Sequence, residues 1–148
     1  MKVYETYESC SHIKAPVYYG DAGYDVSIPV SYTGQIIQPS SYLIIDTGVV
    51  IVPEPNHYVR VEPRSSRFKR GLWAHGVVDN GYRGTIKLVL WNLGTEPYIL
   101  EEGEYVVQLI PTLAVDSQIE YHNGYPTDES SERQENGFGS TDKAKQKE

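Results

Sequence analysis

Cysteine is nearly absent from this chain: Cys10 is the only one in 148 residues. A single thiol excludes any disulfide within the chain and any structural zinc site built on cysteines, so Cys10 is read as a small surface or packing residue. Methionine also occurs once. No apolar run approaches the roughly 20 residues of a membrane-spanning helix, and the opening "MKVYETYESC" has no apolar signal-peptide core. A soluble, cytoplasmic protein without membrane partners is expected. Positive charge is in deficit, with 13 Lys and Arg against 20 Asp and Glu and a net charge of -7. A surface of that sign repels a phosphate backbone, so no stable nucleic-acid binding is expected. Several chemistries fail for want of residues. There is no G-x-x-x-x-G-K-[ST] loop, no H-x-E with P-C-x-x-C and no G-x-S-x-G elbow. The four histidines (His12, His57, His75, His122) have no metal-ligand spacing.

What is present favours strands. Tyrosine and glycine each occur 13 times and proline 9 times. Aromatic and β-branched residues punctuated by Gly and Pro describe an all-β domain. "YLIIDTGVVIV" (42–52) is a β-rich run closed by "PEPN". "HYVRVEP" (57–63) sets Val59 and Val61 against Tyr58, Arg60 and Glu62. "TIKLVLWN" (85–92) puts Ile86, Leu88 and Leu90 on one face, and "EYVVQLI" (104–110) sets Gln108 on a face with Val106 and Ile110. Strands of this length with frequent turn signals predict a β-sandwich or barrel. Residues 1–125 are read as the domain. Residues 126–148 are read as an arm, because a Glu, Ser, Gln and Lys-rich stretch buries too little apolar surface to offset its ordering entropy.

Three stretches carry chemistry, each beside a plainer reading. "EPRSSRFKRG" (62–71) packs Arg64, Arg67, Lys69 and Arg70 into an acidic protein. Arg64 with Ser65 and Ser66 offers a guanidinium fork and two hydroxyls that suit phosphate oxygens; the alternative is a solvated basic turn. "GVVDNGYRG" (76–84) places Asp79 before an Asn-Gly turn signal, so a hairpin or tight loop holds Asp79 near Tyr82. That carboxylate either caps the turn or deprotonates a water. In the tail, Phe138 stands between glycines, ahead of Ser140 and Thr141 and five residues after Arg133. It is either an incidental residue of a frayed terminus or a stacking plate beside an anion clamp, ordered by a ligand.

In this order the pieces resemble the dUTP pyrophosphatase (dUTPase) family, whose five motifs spread over nearly the whole chain. "DAGYDV" (21–26) resembles the first and "PRSS" (63–66) the second. "GVVDNGYRG", running on to Asn92, resembles the third, "GEYVVQLI" (103–110) the fourth and "RQENGFGST" (133–141) the fifth. The resemblance implies a distorted, jelly-roll-like β-fold with a flexible C-terminal arm, and hydrolysis of dUTP to dUMP and pyrophosphate. It implies Asp79 as the base that activates water and Tyr82 against the deoxyribose. Main-chain groups around Gly76 and Val78, and of Lys87, would pair with the uracil edge. Arg64, Ser65, Ser66 and Gln108 would hold phosphates, with Arg133, Gly139, Ser140 and Thr141 closing over them and Phe138 stacking on uracil. Asp25 would stand in the outer shell. Mg²⁺ would be held by the triphosphate and water, with no protein ligand, and the assembly would be a homotrimer with sites at subunit boundaries. The chain departs from the family in "QEN", where the arm usually has glycine, in Ser66, where Gly is common, and in a short passage from Arg64 to Asp79. The "RSS" also resembles dCTP deaminases of similar fold, but Val89 falls where those carry a catalytic Glu. A regulatory or binding relative would have lost a motif, and all five are present.

Overall fold

The computed structural model describes residues 1–126. Met1–Asp116 form one compact unit, and residues 117–126 of the second unit hold no helix or strand. The strands are β1 (Lys2–Glu5), β2 (Ile13–Lys14), β3 (Tyr24–Ser27), β4 (Ile36–Ile37), β5 (Tyr42–Asp46) and β6 (Val49–Val52). They continue with β7 (His57–Pro63), β8 (Leu72–Trp73), β9 (Gly76–Val78), β10 (Lys87–Asn92), β11 (Tyr98–Ile99) and β12 (Tyr105–Leu113). The four-residue helix α1 (Ser65–Phe68) follows β7. No described helix is long and apolar enough to cross a membrane.

Every described strand pair is antiparallel. The largest sheet has the order β2-β3-β12-β7-β9, and a three-stranded sheet has the order β5-β10-β8. β1 pairs with β6 and β11 with β4. These are open sheets packed on one core, as a distorted sandwich requires, and no described sheet closes into a barrel.

Side-chain alternation explains the packing. Val59 and Val61 of β7 point into the core, as do Ile86, Leu88 and Leu90 before and along β10. Burying a side chain of this kind is worth about 1.5–3 kcal/mol. Strand β12 breaks the alternation: its register shifts between Tyr105 and Val107, and Val106 and Val107 are both fully buried. The bulge therefore corrects the simple reading of "EYVVQLI". Gln108 stays half-buried, facing Asp25 of β3 and Glu62 of β7 in register, while Val107 and Leu109 join the core.

Candidate active site

Strand β9 has only β7 beside it, with Val78 opposite Val59 and Gly76 opposite Val61. Its other edge carries no ladder among the described residues. Strand β10 begins at Lys87, which pairs with Asp46 of β5; β8 reaches only Trp91 and Asn92. Thus β9 and β10 are not a hairpin. They belong to different sheets, and the Asn-Gly segment between them is a tight loop that leaves main-chain edges open on both strands. A cleft of about 220 Å³ lies there, lined by Val61, Gly76, Val77, Val78, Asp79, Tyr82, Ile86 and Lys87.

The loop is held by its own side chains and by distant carbonyls. The Tyr82 N–H donates to Asp79 O at 3.1 Å. The Asn80 amide donates to Glu54 O at 2.8 Å and to His57 O at 2.9 Å. The Tyr82 hydroxyl donates to Thr85 O at 3.0 Å, a fold-back that glycine at position 84 permits, since a Cβ there would stand 2.4 Å from that hydroxyl oxygen. Asp46 fastens the far end. It accepts from the Gly48 N–H (3.0 Å) and the Thr85 hydroxyl (3.1 Å), and Lys87 Nζ stands 3.5 Å away. The Gly48 hydrogen bond is the main reason its carboxyl is held below the usual aspartate value. Asp79 itself is exposed, and no described group donates to its carboxylate.

A second cleft, of about 330 Å³, lies just beyond the C-terminal end of β7. Asp25, Arg64, Ser65, Ser66 and Gln108 line it, together with the 15–23 loop. Arg64 Nε sits 3.0 Å from Asp25 Oδ1, and Gln108 Nε2 lies 3.4 Å from Pro63 O. Gly23 leaves room for Gln108, because a Cβ there would come within 2.2 Å of its side-chain oxygen. The basic segment is less free than its composition suggests: Arg67 and Arg70 turn to Glu104, and only the two serines of α1 are left facing the cleft.

The clefts share no residue. Asp79 follows the residue opposite Val59, whereas Arg64 follows the last residue of β7. At about 3.3 Å per residue, roughly 20 Å of strand separates the level of Asp79 from Arg64. One chain thus gathers Gly76, Val78, Asp79, Tyr82 and Lys87 in one place and Asp25, Arg64, Ser65, Ser66 and Gln108 in another. Arg133, Phe138, Gly139, Ser140 and Thr141 lie outside the described residues.

The dUTPase family model matches residues 10–142. The chain belongs to the dUTPase family. It is 42% identical over 110 residues to the deoxyuridine 5'-triphosphate nucleotidohydrolase of Escherichia phage T5, covering 71% of this chain and 72% of that protein. The enzyme of the same name from Caldanaerobacter subterraneus is 29% identical over 141 residues, covering 90% and 92% of the two chains. Among solved structures, the native EIAV dUTPase superposes with a TM-score of 0.67 at 31% identity, over 82% of this chain and 98% of its own. In this dUTPase, sequence reasoning passed over Asp46, Asn80 and Glu104, all of which brace the two clefts. Their only sequence signals are an Asp at a strand end, an Asn inside a turn and one acid among several.

Proposed function

We propose that this dUTPase hydrolyses dUTP to dUMP and pyrophosphate with Asp79 as general base, reading uracil in the cleft between β9 and β10. The observation that carries the reading is the exposed Asp79 carboxylate, unbonded among the described residues, at the rim of a cleft walled by Tyr82 and by two strand edges that carry no ladder among those residues. A carboxylate left free of structural hydrogen bonds is available to orient a water and take its proton. Main-chain donors and acceptors on Gly76, Val78 and Lys87 suit the alternating edge of uracil. Cytosine would leave some of them unpaired, at about 1–3 kcal/mol for each buried group. Tyr82 walls the cleft on the sugar side and leaves no room for a 2′-hydroxyl.

Arg64, Ser65, Ser66 and Gln108 form the phosphate cradle, with Asp25 orienting Arg64 from behind. These are donors and a cation, and both nearby carboxylates are engaged, Asp25 by Arg64 and Asp21 by the Tyr18 N–H. Such a set fits a Mg²⁺ that is held by triphosphate oxygens and water rather than by the protein. When bound, the ion screens charge on the phosphates as the pyrophosphate leaves. By the family resemblance, Arg133, Gly139, Ser140 and Thr141, which lie outside the described residues, are assigned to the phosphates and Phe138 to the base.

The roughly 20 Å of β7 between the level of Asp79 and Arg64 supports a shared site, in which Asp79 of one subunit meets the cradle of another. The outward face of β5 and β10 supports it too: Tyr42, Ile44 and Trp91 are exposed at 53%, 49% and 37%, an apolar strip suited to a second copy of the chain. A cytoplasmic homotrimer with sites at its subunit boundaries, completed by the 126–148 arm, accounts for both features.

The reading is tested by incubating the protein with each dNTP and Mg²⁺ and separating the products. dUMP and pyrophosphate from dUTP alone are expected, whereas ammonia from dCTP would refute it. Asp79→Asn should keep nucleotide affinity and lower kcat by about 10²–10⁴-fold. Wild-type turnover in the folded variant removes Asp79 from the role.

A further inference from the structure

Helix α1 presents Ser65 and Ser66 to the phosphate cleft, yet it has little to hold it in place. It is one turn long, and no side chain caps its N-terminus. A helix of that length has no stability of its own, so its position is set by what it is fastened to. The fastening runs inward through Arg67. Its Nε lies 3.1 Å from Tyr105 O and 3.1 Å from Glu104 Oε1. The Glu104 side chain is 1% exposed. It also accepts the Tyr98 hydroxyl and the Glu101 N–H (3.1 Å), and Arg70 stands 3.7 Å away with its guanidinium 4.5 Å over the Tyr98 ring. Burial, and then the bond to Glu104, hold the Tyr98 hydroxyl above its ordinary pKa, so it remains a donor through the neutral range. A carboxylate at this depth is tolerated because its donors converge on it. The carbonyl of Tyr105 accepts from Arg64 as well, at 3.5 Å, so both arginines are referred to one point at the start of β12.

We propose that Glu104 and Arg67 are positioning residues for the phosphate cradle: the buried carboxylate and the half-buried guanidinium fix α1 against β12 so that Ser65 and Ser66 face Arg64 across the cleft. This rests on the reading of that cleft as the phosphate site. A brace of this kind acts on binding of the pyrophosphate portion, because the uracil cleft draws on none of these residues. Loss of binding shared by ground state and transition state raises KM and leaves kcat.

The test is steady-state kinetics on dUTP with inorganic pyrophosphate and dUMP as inhibitors, for wild type, Arg67→Met, Arg67→Met/Glu104→Gln and Ser65→Ala. The double variant removes both charges and so leaves no lone buried carboxylate if Arg67→Met alone fails to fold. Expected for the anchor variants are a rise of about tenfold in KM and in the pyrophosphate inhibition constant, the scale of one charge-assisted hydrogen bond. Inhibition by dUMP and kcat should stay near wild type, and Ser65→Ala should weaken pyrophosphate as well. If Ser65→Ala weakens pyrophosphate and the folded anchor variants do not, the positioning role is refuted and the cradle stands. If none of the three weakens it, the cradle itself is wrong. Equal losses for pyrophosphate and dUMP mean general damage and also overturn the proposal.

Discussion

Refolding two crippled parents together decides whether the base and the phosphate cradle work within one chain or across two. One parent carries Asp79→Asn, which keeps the cradle; the other carries Arg64→Met, which keeps the base and the aliphatic stem of the lost arginine. The level of Asp79 lies beside Tyr58 and Arg64 follows Pro63, so about 20 Å of β7 separates them. A general base works only within about 2.6–3.2 Å of the proton it takes, or through one water. One triphosphate cannot meet both groups of the same chain over that distance unless the chain rearranges. In a cyclic trimer each site takes its base from one subunit and its cradle from the next. After random one-to-one mixing, half the sites draw a sound base and half of those a sound cradle, so about a quarter of wild-type turnover returns. The Asp79→Asn parent alone should fall short of wild type by about 10²–10⁴-fold, far below that level. Pyrophosphate release from dUTP is the assay, with each parent refolded alone as control and mixed assembly verified by native mass spectrometry. A verified mixture no more active than its parents refutes the shared site.

Three smaller perturbations probe the loop and its ties. Asn80→Ala removes both hydrogen bonds to the 54–57 turn, and at about 1 kcal/mol for each neutral bond it should cost up to about 30-fold in kcat as Asp79 loses its fixed place; an unchanged kcat dismisses Asn80 as a brace. Gly84→Ala sets a methyl 2.4 Å from the Tyr82 hydroxyl oxygen and must swing the ring away. The ratio of kcat/KM for dUTP over UTP should then fall, and a preserved ratio takes sugar selection from Tyr82. Asp46 has a folded pKa below its unfolded value, so its stabilising contribution is complete above the unfolded value and is lost as pH falls through the folded one. The melting temperature of Asp46→Asn should accordingly depend less on pH across the acidic range than that of wild type, and parallel curves refute the assignment.

How far these features can be read from the chain depends on the range of the interactions behind them. Strands β7 and β10 are legible because alternation is local, and Val59, Val61, Leu88 and Leu90 are buried where a period of two puts them. Strand β12 is half legible, since a bulge after Tyr105 buries two consecutive valines and no neighbouring residue announces it. The "NG" dipeptide marks a reversal but not its partners. The Asn80 amide goes to carbonyls 26 and 23 residues away, and the flanking strands join different sheets. Helix α1 is too short to show a 3.6-residue period and reads as a turn. Glu104 is the least visible. Glu101 and Glu102 nearby are exposed, and nothing local distinguishes the third carboxylate, whose burial is set by Arg67, 37 positions earlier.

The margin of β9 that carries no ladder among the described residues has a consequence for variation. An unpaired strand edge ordinarily invites another chain to add to it, but three residues are too few to template such growth. On the proposed reading of the cleft they are enough for a nucleobase. If the pyrimidine is read by peptide groups, the side chains of that segment carry no part of the code, and Val77, 58% exposed on the cleft wall, can change as long as the cleft stays open. Substitutions that keep the backbone path leave base preference intact, whereas proline, which deletes a donor, damages it. On that reading, selectivity written in the main chain is shielded from most point mutations, and an inhibitor that mimics the uracil edge would meet a surface on which few single changes confer resistance.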